Sequence, residues 1–206
     1  MKDNQKAHWD NVYSNKTSEE VSWTQAVPQT SLDFIHGFKL SKSSSIIDIG
    51  GGDSKLVDFL LQEGFQNITV LDISEAAINK AKARLGEQSK LVKWVVSDIT
   101  EFKTDEHFDL WHDRATFHFL TRESQVAAYL KIAGNSISSY MVVGTFSENG
   151  PEKCSGLPIK QYTEDQLRSR LQKDFEKIRC INEDHITPFQ TKQNFLFCSF
   201  KKQSVN

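Results

Sequence analysis

Residues 45–54 read Ser-Ile-Ile-Asp-Ile-Gly-Gly-Gly-Asp-Ser, and this stretch is the clearest indication of the fold class. A short apolar run that ends at glycines is typical of a buried parallel strand followed by a tight turn. Asp53 and Ser54 can cap the helix that follows, in which the apolar residues at positions 56, 57, 60 and 61 keep the helical period. The stretch therefore predicts a strand–turn–helix unit of an α/β protein.

The same alternation of strand and helix continues along the chain. Further strands are predicted at 68–71, 91–96, 108–111 and 140–146, and helices at 2–14, 28–38, 74–85, 121–136 and 163–171. This alternation predicts a doubly wound parallel sheet with helices on both faces. Two last strands, at 175–185 and 194–201, have no helix between them and predict an antiparallel C-terminal hairpin. We therefore expect a seven-stranded, Rossmann-like sheet that is mostly parallel.

The overall composition excludes several classes of protein. The 206 residues carry 25 basic and 27 acidic side chains, a net charge of −2, which argues against a nucleic-acid partner bound by bulk charge. No apolar run approaches the ~18 residues of a membrane span, and residues 1–6 lack the apolar core of a secretory signal. No repeat or linker divides the chain, so we expect one domain.

The three cysteines, at positions 154, 180 and 198, include no Cys-x-x-Cys pair. This pattern excludes a zinc ribbon and argues against a disulfide framework. We therefore expect Cys180 and Cys198 to be buried free thiols and Cys154 to serve packing. A reducing, cytoplasmic setting fits this usage, and no metal site is predicted.

Acidic residues close three of the predicted parallel strands, at Asp48, Asp72 and Asp98. Asp72 comes 20 residues after the last glycine of the turn, the distance at which a doubly wound fold binds ribose hydroxyls. The alternative for Asp72 alone is the N-cap of a helix. Asp98, followed by a free backbone N–H, can bind the edge of an adenine. Three acidic strand ends beside a glycine turn predict a nucleoside site.

The predicted nucleoside site suits S-adenosylmethionine better than it suits a nicotinamide dinucleotide. The dinucleotide fingerprint needs a third glycine at position 55, where this chain has Lys55. Asp48, just before the glycines, repels a pyrophosphate but suits a ligand that carries an ammonium and a sulfonium. An NAD-dependent oxidoreductase and a non-catalytic S-adenosylmethionine-binding protein are the alternatives.

His112 and Asp113 follow the fourth predicted strand, at the end that would face the transferable methyl group. Imidazole and carboxylate can take a proton near pH 7, so both residues are candidates to orient or deprotonate a nucleophile. The alternative is that Asp113 and Arg114 form a structural pair. His118 is expected to pack beneath the sheet.

Four runs, 46–61, 70–85, 94–102 and 108–120, resemble the ordered motifs of class I S-adenosylmethionine-dependent methyltransferases. The start of the chain, His-Trp-Asp-Asn-Val-Tyr at 8–13 with a later Trp23, is similar to small methyltransferases related to the elongation-factor-1A lysine methyltransferases. Those enzymes have a D-K-G-T-like stretch where this chain has Asp-Arg-Ala-Thr at 113–116, so the resemblance does not carry over a lysine acceptor.

The resemblance implies a role for each part of the cofactor site. Trp9, Tyr13 and Trp23 would line the methionyl and sulfonium side, although Trp9 and Tyr13 could instead be the core of an amphipathic helix. Asp72 and Ile73 would hold the ribose, and Asp98 and Ile99 would hold the adenine. The full set of implied cofactor contacts is Trp9, Tyr13, Trp23, Asp48, Gly50, Gly51, Gly52, Asp72, Ile73, Asp98, Ile99 and Arg114.

The sequence therefore predicts an S-adenosylmethionine-dependent methyltransferase that acts on a small-molecule or protein nucleophile, as a monomer or homodimer. We expect a single methyltransferase domain over 1–206. Its parts are a helical cap at 1–40, a cofactor-binding core at 41–146, and a substrate-side loop, helix and hairpin at 147–206. The N-terminal segment and the 147–158 loop are expected to cover the site.

Overall fold

The computed structural model describes residues 2–204, with side chains from residue 5 onwards. Its strands are β1 (Ser45–Ile49), β2 (Asn67–Asp72), β3 (Val92–Val96), β4 (Phe108–Arg114), β5 (Ile137–Phe146), β6 (Lys153–Cys154), β7 (Leu157–Pro158), β8 (Phe175–Ile186) and β9 (Lys192–Lys202). Seven of them form one sheet in the order β3-β2-β1-β4-β5-β9-β8, and β6 and β7 form a separate small hairpin.

The helices alternate with the strands of the sheet, as predicted. They are α1 (Lys2–Asn15), α2 (Gln29–Gly37), α3 (Leu56–Gln62), α4 (Glu75–Leu85), α5 (Glu123–Ser136) and α6 (Glu164–Leu171). Within residues 2–204, none of these helices is long and apolar enough to cross a membrane.

The strand directions confirm the predicted fold class. Strands β1 to β5 run parallel, and β9 is antiparallel to both of its neighbours, β5 and β8. The last strand along the chain therefore lies inside the sheet rather than at its edge. The result is a doubly wound, mostly parallel sheet with an antiparallel C-terminal strand.

An apolar layer is buried on each face of the sheet. On one face, α2 and α3 pack through residues such as Ile35 and Leu60. On the other face, α5 and α6 pack through residues such as Tyr129 and Leu167. Both faces are covered, which is the condition under which parallel strands are stable.

β4 continues three residues beyond its predicted end at position 111. β1 pairs with it up to Asp113, and β5 pairs with it up to Arg114. Ladder hydrogen bonds on both sides therefore keep these polar residues in the strand. Because side chains alternate along a strand, His112 and Asp113 point to opposite faces of the sheet.

Cys180 on β8 and Cys198 on β9 form a disulfide, so the prediction of free thiols for this pair was wrong. The two residues are directly opposite each other in the β8–β9 ladder. Cross-strand register, which the spacing of cysteines in the sequence does not contain, brings the sulfurs together. Cys154 is buried and free, as expected.

Candidate active site

The carboxyl ends of β1 to β4 border a cavity at the edge where parallel sheets bind ligands. The predicted residues in its lining are Trp9, Tyr13, Trp23, Asp48, Gly50, Gly51, Asp72, Ile73, Asp98, Ile99, His112 and Arg114. Gly52 is not in the lining, although it belongs to the same turn. Of the two candidate bases, only His112 borders the cavity.

The turn after β1 requires glycine. Gly50 and Gly52 have φ values of +66° and +34°, a region that residues with side chains rarely adopt. A Cβ on Gly51 would lie 2.5 Å from Asp48 Oδ2, and one on Gly52 would lie 2.6 Å from Asp72 Oδ2. The glycines therefore let two strand-end carboxylates approach the backbone of the turn.

Asp72 is buried at the end of β2, and its Oδ1 accepts a hydrogen bond from the Ser74 N–H at 2.8 Å. Burial raises the pKa of Asp72 to about 7, and the nearby Asp48 and Asp10 carboxylates add to this effect. The N-cap of α4 is Ser74, whose Oγ accepts from the Ala77 N–H at 3.1 Å. Capping therefore does not account for the buried carboxylate of Asp72, whereas ribose hydroxyls would stabilise its charged form.

Asp98 lies just after β3 and is partly fixed by its own turn. Its Oδ1 accepts from the Thr100 N–H at 2.8 Å and from the Thr100 hydroxyl at 2.7 Å. Asp98 borders the cavity next to the buried Ile99. With Oδ1 held in this way, Oδ2 is the oxygen that can accept from an adenine amino group.

His112 lies between Asp48 and Ser31 in a buried chain of hydrogen bonds. Its Nδ1 is 2.7 Å from Asp48 Oδ1, and its Nε2 is 2.9 Å from Ser31 Oγ. With Nδ1–H donating to the carboxylate, Nε2 accepts from the hydroxyl. Both ring nitrogens are thus occupied within the protein, and the arrangement orients Asp48 rather than offering a free base.

Asp113 lies on the other face of β4 and does not border the cavity. Its Oδ1 accepts from the N–H groups of Thr116 (3.0 Å) and Phe117 (3.2 Å), and its Oδ2 accepts from the Tyr129 hydroxyl (2.8 Å). Burial raises the pKa of Asp113 to about 6. The carboxylate holds the turn after β4, so the geometry supports neither a role as a base nor a pair with Arg114, whose side chain is on the opposite face.

Aromatic rings from α1 and its connection to α2 cover one side of the cavity. The Trp9 ring meets the rings of Trp23 and Phe119, with centroids 5.6 Å and 5.2 Å apart. Tyr13 packs on Trp23 at 6.1 Å. Phe119 also borders the cavity, although no sequence signal singled it out. Such rings can stabilise a soft cation.

Asp10 attaches α1 to the rest of the protein. Its Oδ1 accepts from the Ser74 hydroxyl at 2.8 Å and from the Ala76 N–H at 3.2 Å, both at the N-terminus of α4. Its other oxygen pairs with the exposed Lys6. A carboxylate at this position is favoured by the free N–H groups of the helix. Asp10 thereby places the rings of α1 over the cavity.

We expect Asp10→Ala to speed hydrogen exchange of residues 8–15 about fivefold to tenfold, because losing a helix-cap contact costs about 1 kcal/mol. Lys6→Ala removes only the exposed partner of the same carboxylate and should change exchange by no more than about twofold. Equal exchange in Asp10→Ala and the unmodified protein would show that ring packing alone holds α1. The same measurement with S-adenosylmethionine checks the expectation that residues 8–24 become more protected when the cofactor binds.

Two further residues occupy the packing positions expected for them. Cys154 borders the cavity, and burial raises the pKa of its thiol to about 12, which argues against a reactive thiolate. His118 stacks on Phe146, and burial lowers its pKa to about 3. In the part of the chain with described side chains, no group of His, Cys, Asp and Glu is arranged to hold a metal ion.

A family profile described as a methyltransferase domain matches residues 46–134. Malonyl-[acyl-carrier protein] O-methyltransferase from Anoxybacillus flavithermus is 36% identical over 88 residues, which are 42% of this chain and 33% of that protein. EEF1A lysine methyltransferase 2 from Danio rerio is 25% identical over 122 residues, which are 54% of this chain and 52% of that protein. The chain thus spans about a third to a half of the length of these curated relatives.

The fold is similar to that of solved methyltransferases. An S-adenosylmethionine-dependent methyltransferase from Anabaena variabilis superposes with a TM-score of 0.76 over 98% of this chain and 94% of that chain. Sequence identity in this alignment is 13%, so the likeness establishes the architecture alone.

Proposed function

We propose that this chain contains a class I S-adenosylmethionine-dependent methyltransferase domain and that the protein transfers a methyl group from S-adenosylmethionine to a nucleophile of a small-molecule or protein acceptor. The observation that carries the proposal is the set of carboxylates, Asp48, Asp72 and Asp98, around one glycine turn and one cavity. This concentration of acidic groups suits a cofactor with a ribose, an ammonium and a sulfonium. It disfavours the pyrophosphate of a nicotinamide dinucleotide.

Four parts of the cofactor, namely the adenine, the ribose, the ammonium and the sulfonium, have a matching group in the cavity. Asp98-Ile99 would hold the adenine, and Asp72-Ile73 would hold the ribose. Asp48, oriented by His112, would face the methionyl ammonium, and the aromatic rings of α1 would border the sulfonium. When bound, S-adenosylmethionine supplies a methyl group that is already activated, because its sulfur leaves as a neutral thioether.

The protein's own contribution is positioning and the exclusion of water. Transfer from a sulfonium depends chiefly on aligning the acceptor atom with the methyl carbon. The rings of Trp9, Trp23 and Phe119 form a cover that keeps water from the reacting atoms. In this proposal His112 is a positioning residue for Asp48, because both of its nitrogens already have partners.

Two measurements test the proposal. Calorimetry should detect binding of S-adenosylmethionine and S-adenosylhomocysteine but not of NADH. Labelled S-adenosylmethionine should then transfer its methyl group to a member of a panel of thiols, amines, carboxylates and cell-extract proteins. Tight NADH binding without a response to S-adenosylmethionine would overturn the class. Cofactor binding without transfer to any acceptor would favour the non-catalytic alternative.

We expect cofactor affinity to fall as the pH is lowered through 7. Asp72 accepts ribose hydroxyls best as a charged carboxylate, and its pKa in the ligand-free protein is about 7. At lower pH the ligand must displace a proton from Asp72, so the dissociation constant should rise about tenfold between pH 8 and pH 6. Calorimetry at constant ionic strength measures this change.

Asp72→Asn is the control for this pH dependence. The pH dependence of the variant's affinity reports any titration of the cofactor itself. The difference between this profile and that of the unmodified protein is therefore the contribution of Asp72. Parallel profiles in the variant and the unmodified protein would show that Asp72 does not change its protonation on binding.

The acceptor class stays broad in this proposal. By their names, the two curated relatives act on a malonyl-acyl carrier protein and on a lysine of elongation factor 1A. The net charge of −2 does not favour binding of a nucleic acid, so we do not propose a nucleic-acid acceptor. The Cys180–Cys198 disulfide argues against the reducing setting from which a cytoplasmic location was inferred, so location is not part of the proposal.

A further inference from the structure

Arg114 is a half-buried cation, and one hydrogen-bonding edge of its guanidinium has no partner. It ends β4 and borders the cavity. Its Nη1 donates to the Trp23 carbonyl oxygen at 3.0 Å. Its Nε and Nη2 are shielded from water and have no hydrogen-bond partner among residues 2–204. Burial lowers the pKa of Arg114 to about 10, although the charges of Glu183 and Asp48 oppose this effect, so the guanidinium is charged at neutral pH.

The free edge has the geometry of a carboxylate site. Nε–H and Nη2–H lie side by side in the guanidinium plane and point in parallel directions. This is the arrangement that binds a carboxylate through two parallel, charge-assisted hydrogen bonds. A buried charge without such a partner destabilises a protein, and buried polar groups without partners are rare enough to indicate a function.

We propose that the methyl acceptor carries a carboxylate and that Arg114 anchors it through Nε and Nη2. This inference rests on the proposed methyltransferase function and deepens it by naming the substrate class. The carboxylate is the anchor, and the position of Arg114 at the end of β4 sets the distance from the anchor to the methyl group.

The sequence resemblance implies a cofactor contact for Arg114, but the direction of its side chain favours a carboxylate of the acceptor. The groups matched to the nucleoside and the ammonium follow β1, β2 and β3. The guanidinium carbon of Arg114 instead lies 5.5 Å from the centroid of the Phe195 ring on β9. β9 is two strands beyond β4 in the sheet, on the side away from β1. The cation therefore lies between the methionyl side, where it contacts the Trp23 carbonyl oxygen, and β9, on the side that is left for the acceptor.

The surroundings of Arg114 determine the choice of probe. The cavity that Arg114 borders is also lined by Trp23, Phe119 and Cys154, which are largely apolar. An acid with an apolar body therefore fits better than a highly charged one. Benzoate is such an acid, and benzamide has nearly the same shape without the negative charge. Acetate and acetamide repeat the comparison with the smallest possible body.

The experiment first establishes by calorimetry that the protein binds S-adenosylhomocysteine. Failure at this step would remove the proposed function itself. The four probes are then titrated into the saturated protein and followed by ligand-observed NMR. We expect each acid to bind at least about tenfold more tightly than its amide, because only the acid accepts two charge-assisted hydrogen bonds. Equal binding of acids and amides, or no binding of either acid, would overturn the inference while leaving the methyltransferase function in place.

Arg114→Gln should abolish the preference for acids and leave the affinity for S-adenosylhomocysteine within about threefold, because Asp48, Asp72 and Asp98 would still hold that ligand. Decarboxylated S-adenosylmethionine shows whether Arg114 binds the carboxylate of the cofactor or that of the acceptor. If the variant bound S-adenosylmethionine at least about tenfold more weakly but bound the decarboxylated form normally, Arg114 would hold the cofactor, and the inference would be wrong.

Two controls separate a ligand role from a structural one. Arg168→Gln removes an exposed arginine on α6 and should behave like the unmodified protein. Arg114→Gln should melt at the same or a higher temperature, because it removes an under-compensated, half-buried charge. Arg114→Lys keeps the charge without the parallel pair of donors and should also lose most of the preference for acids. A lysine variant with full preference, or a glutamine variant that does not fold, would contradict the inference.

Discussion

Replacing Asp72 with alanine should weaken the binding of S-adenosylmethionine by about 2–4 kcal/mol, or roughly 30- to 1000-fold in the dissociation constant. The variant removes the acceptor for both ribose hydroxyls. The fold should persist, because Ser74 caps α4 through its own hydroxyl. Since burial raises the pKa of Asp72 to about 7, its favourable effect on stability is present at acidic pH and is lost as the pH rises through 7. At pH 8 the variant should therefore be no less stable than the unmodified protein.

Calorimetry at pH 8 measures the change in affinity, and thermal unfolding measures the change in stability. Asp33→Ala is the matched control, because it removes an aspartate from α2 whose hydrogen bond to Gln29 is exposed. The control should bind the cofactor normally. An Asp72→Ala protein that is folded and binds with unchanged affinity would show that the ribose lies elsewhere.

Asp113→Ala should lower the free energy of unfolding by about 3–5 kcal/mol. The substitution leaves three donors without an acceptor, namely the partly buried N–H of Thr116 and the buried Phe117 N–H and Tyr129 hydroxyl. The loss arises from the turn after β4 and from its contact with α5. Denaturant unfolding followed by tryptophan fluorescence measures it.

Asp109→Ala is the control from the same strand. Asp109 is half-buried and accepts from the Ser45 N–H at 2.9 Å, so its loss should cost about 1 kcal/mol. If Asp113→Ala were as stable as the control and bound cofactor normally but transferred no methyl group, Asp113 would be a base after all. Loss of stability without that selective effect supports the structural role.

Strands could be predicted where apolar residues predominate in a short run, as at 45–49 and 68–71. The end of β4 could not be predicted in this way, because His112, Asp113 and Arg114 have the composition of a loop. They remain in the strand because β1 and β5 both pair with it. Long-range hydrogen bonding thus overrides local composition, which is the usual limit of strand propensity.

The acidic edge of the site could also be predicted, because parallel topology brings the ends of successive strands together. The face of the sheet to which each single side chain points could not be predicted. Whether His112 or Asp113 points toward the cavity depends on a register in which a shift of one residue inverts every side chain. The contact between Asp10 and Ser74, which are 64 residues apart, depends on how α1 packs on α4. The Cys180–Cys198 disulfide depends in the same way on the register of the β8–β9 hairpin.

The position of β9 between β5 and β8 determines when the sheet can be completed during synthesis. Until residues 192–202 have left the ribosome, β5 lacks its outer neighbour and β8 has no strand to pair with. Non-local antiparallel pairing of this kind is slow, and open strand edges invite association with other chains. A nascent chain that stalls before this strand therefore exposes an unfinished edge of the sheet, and we expect such chains to depend most on chaperones.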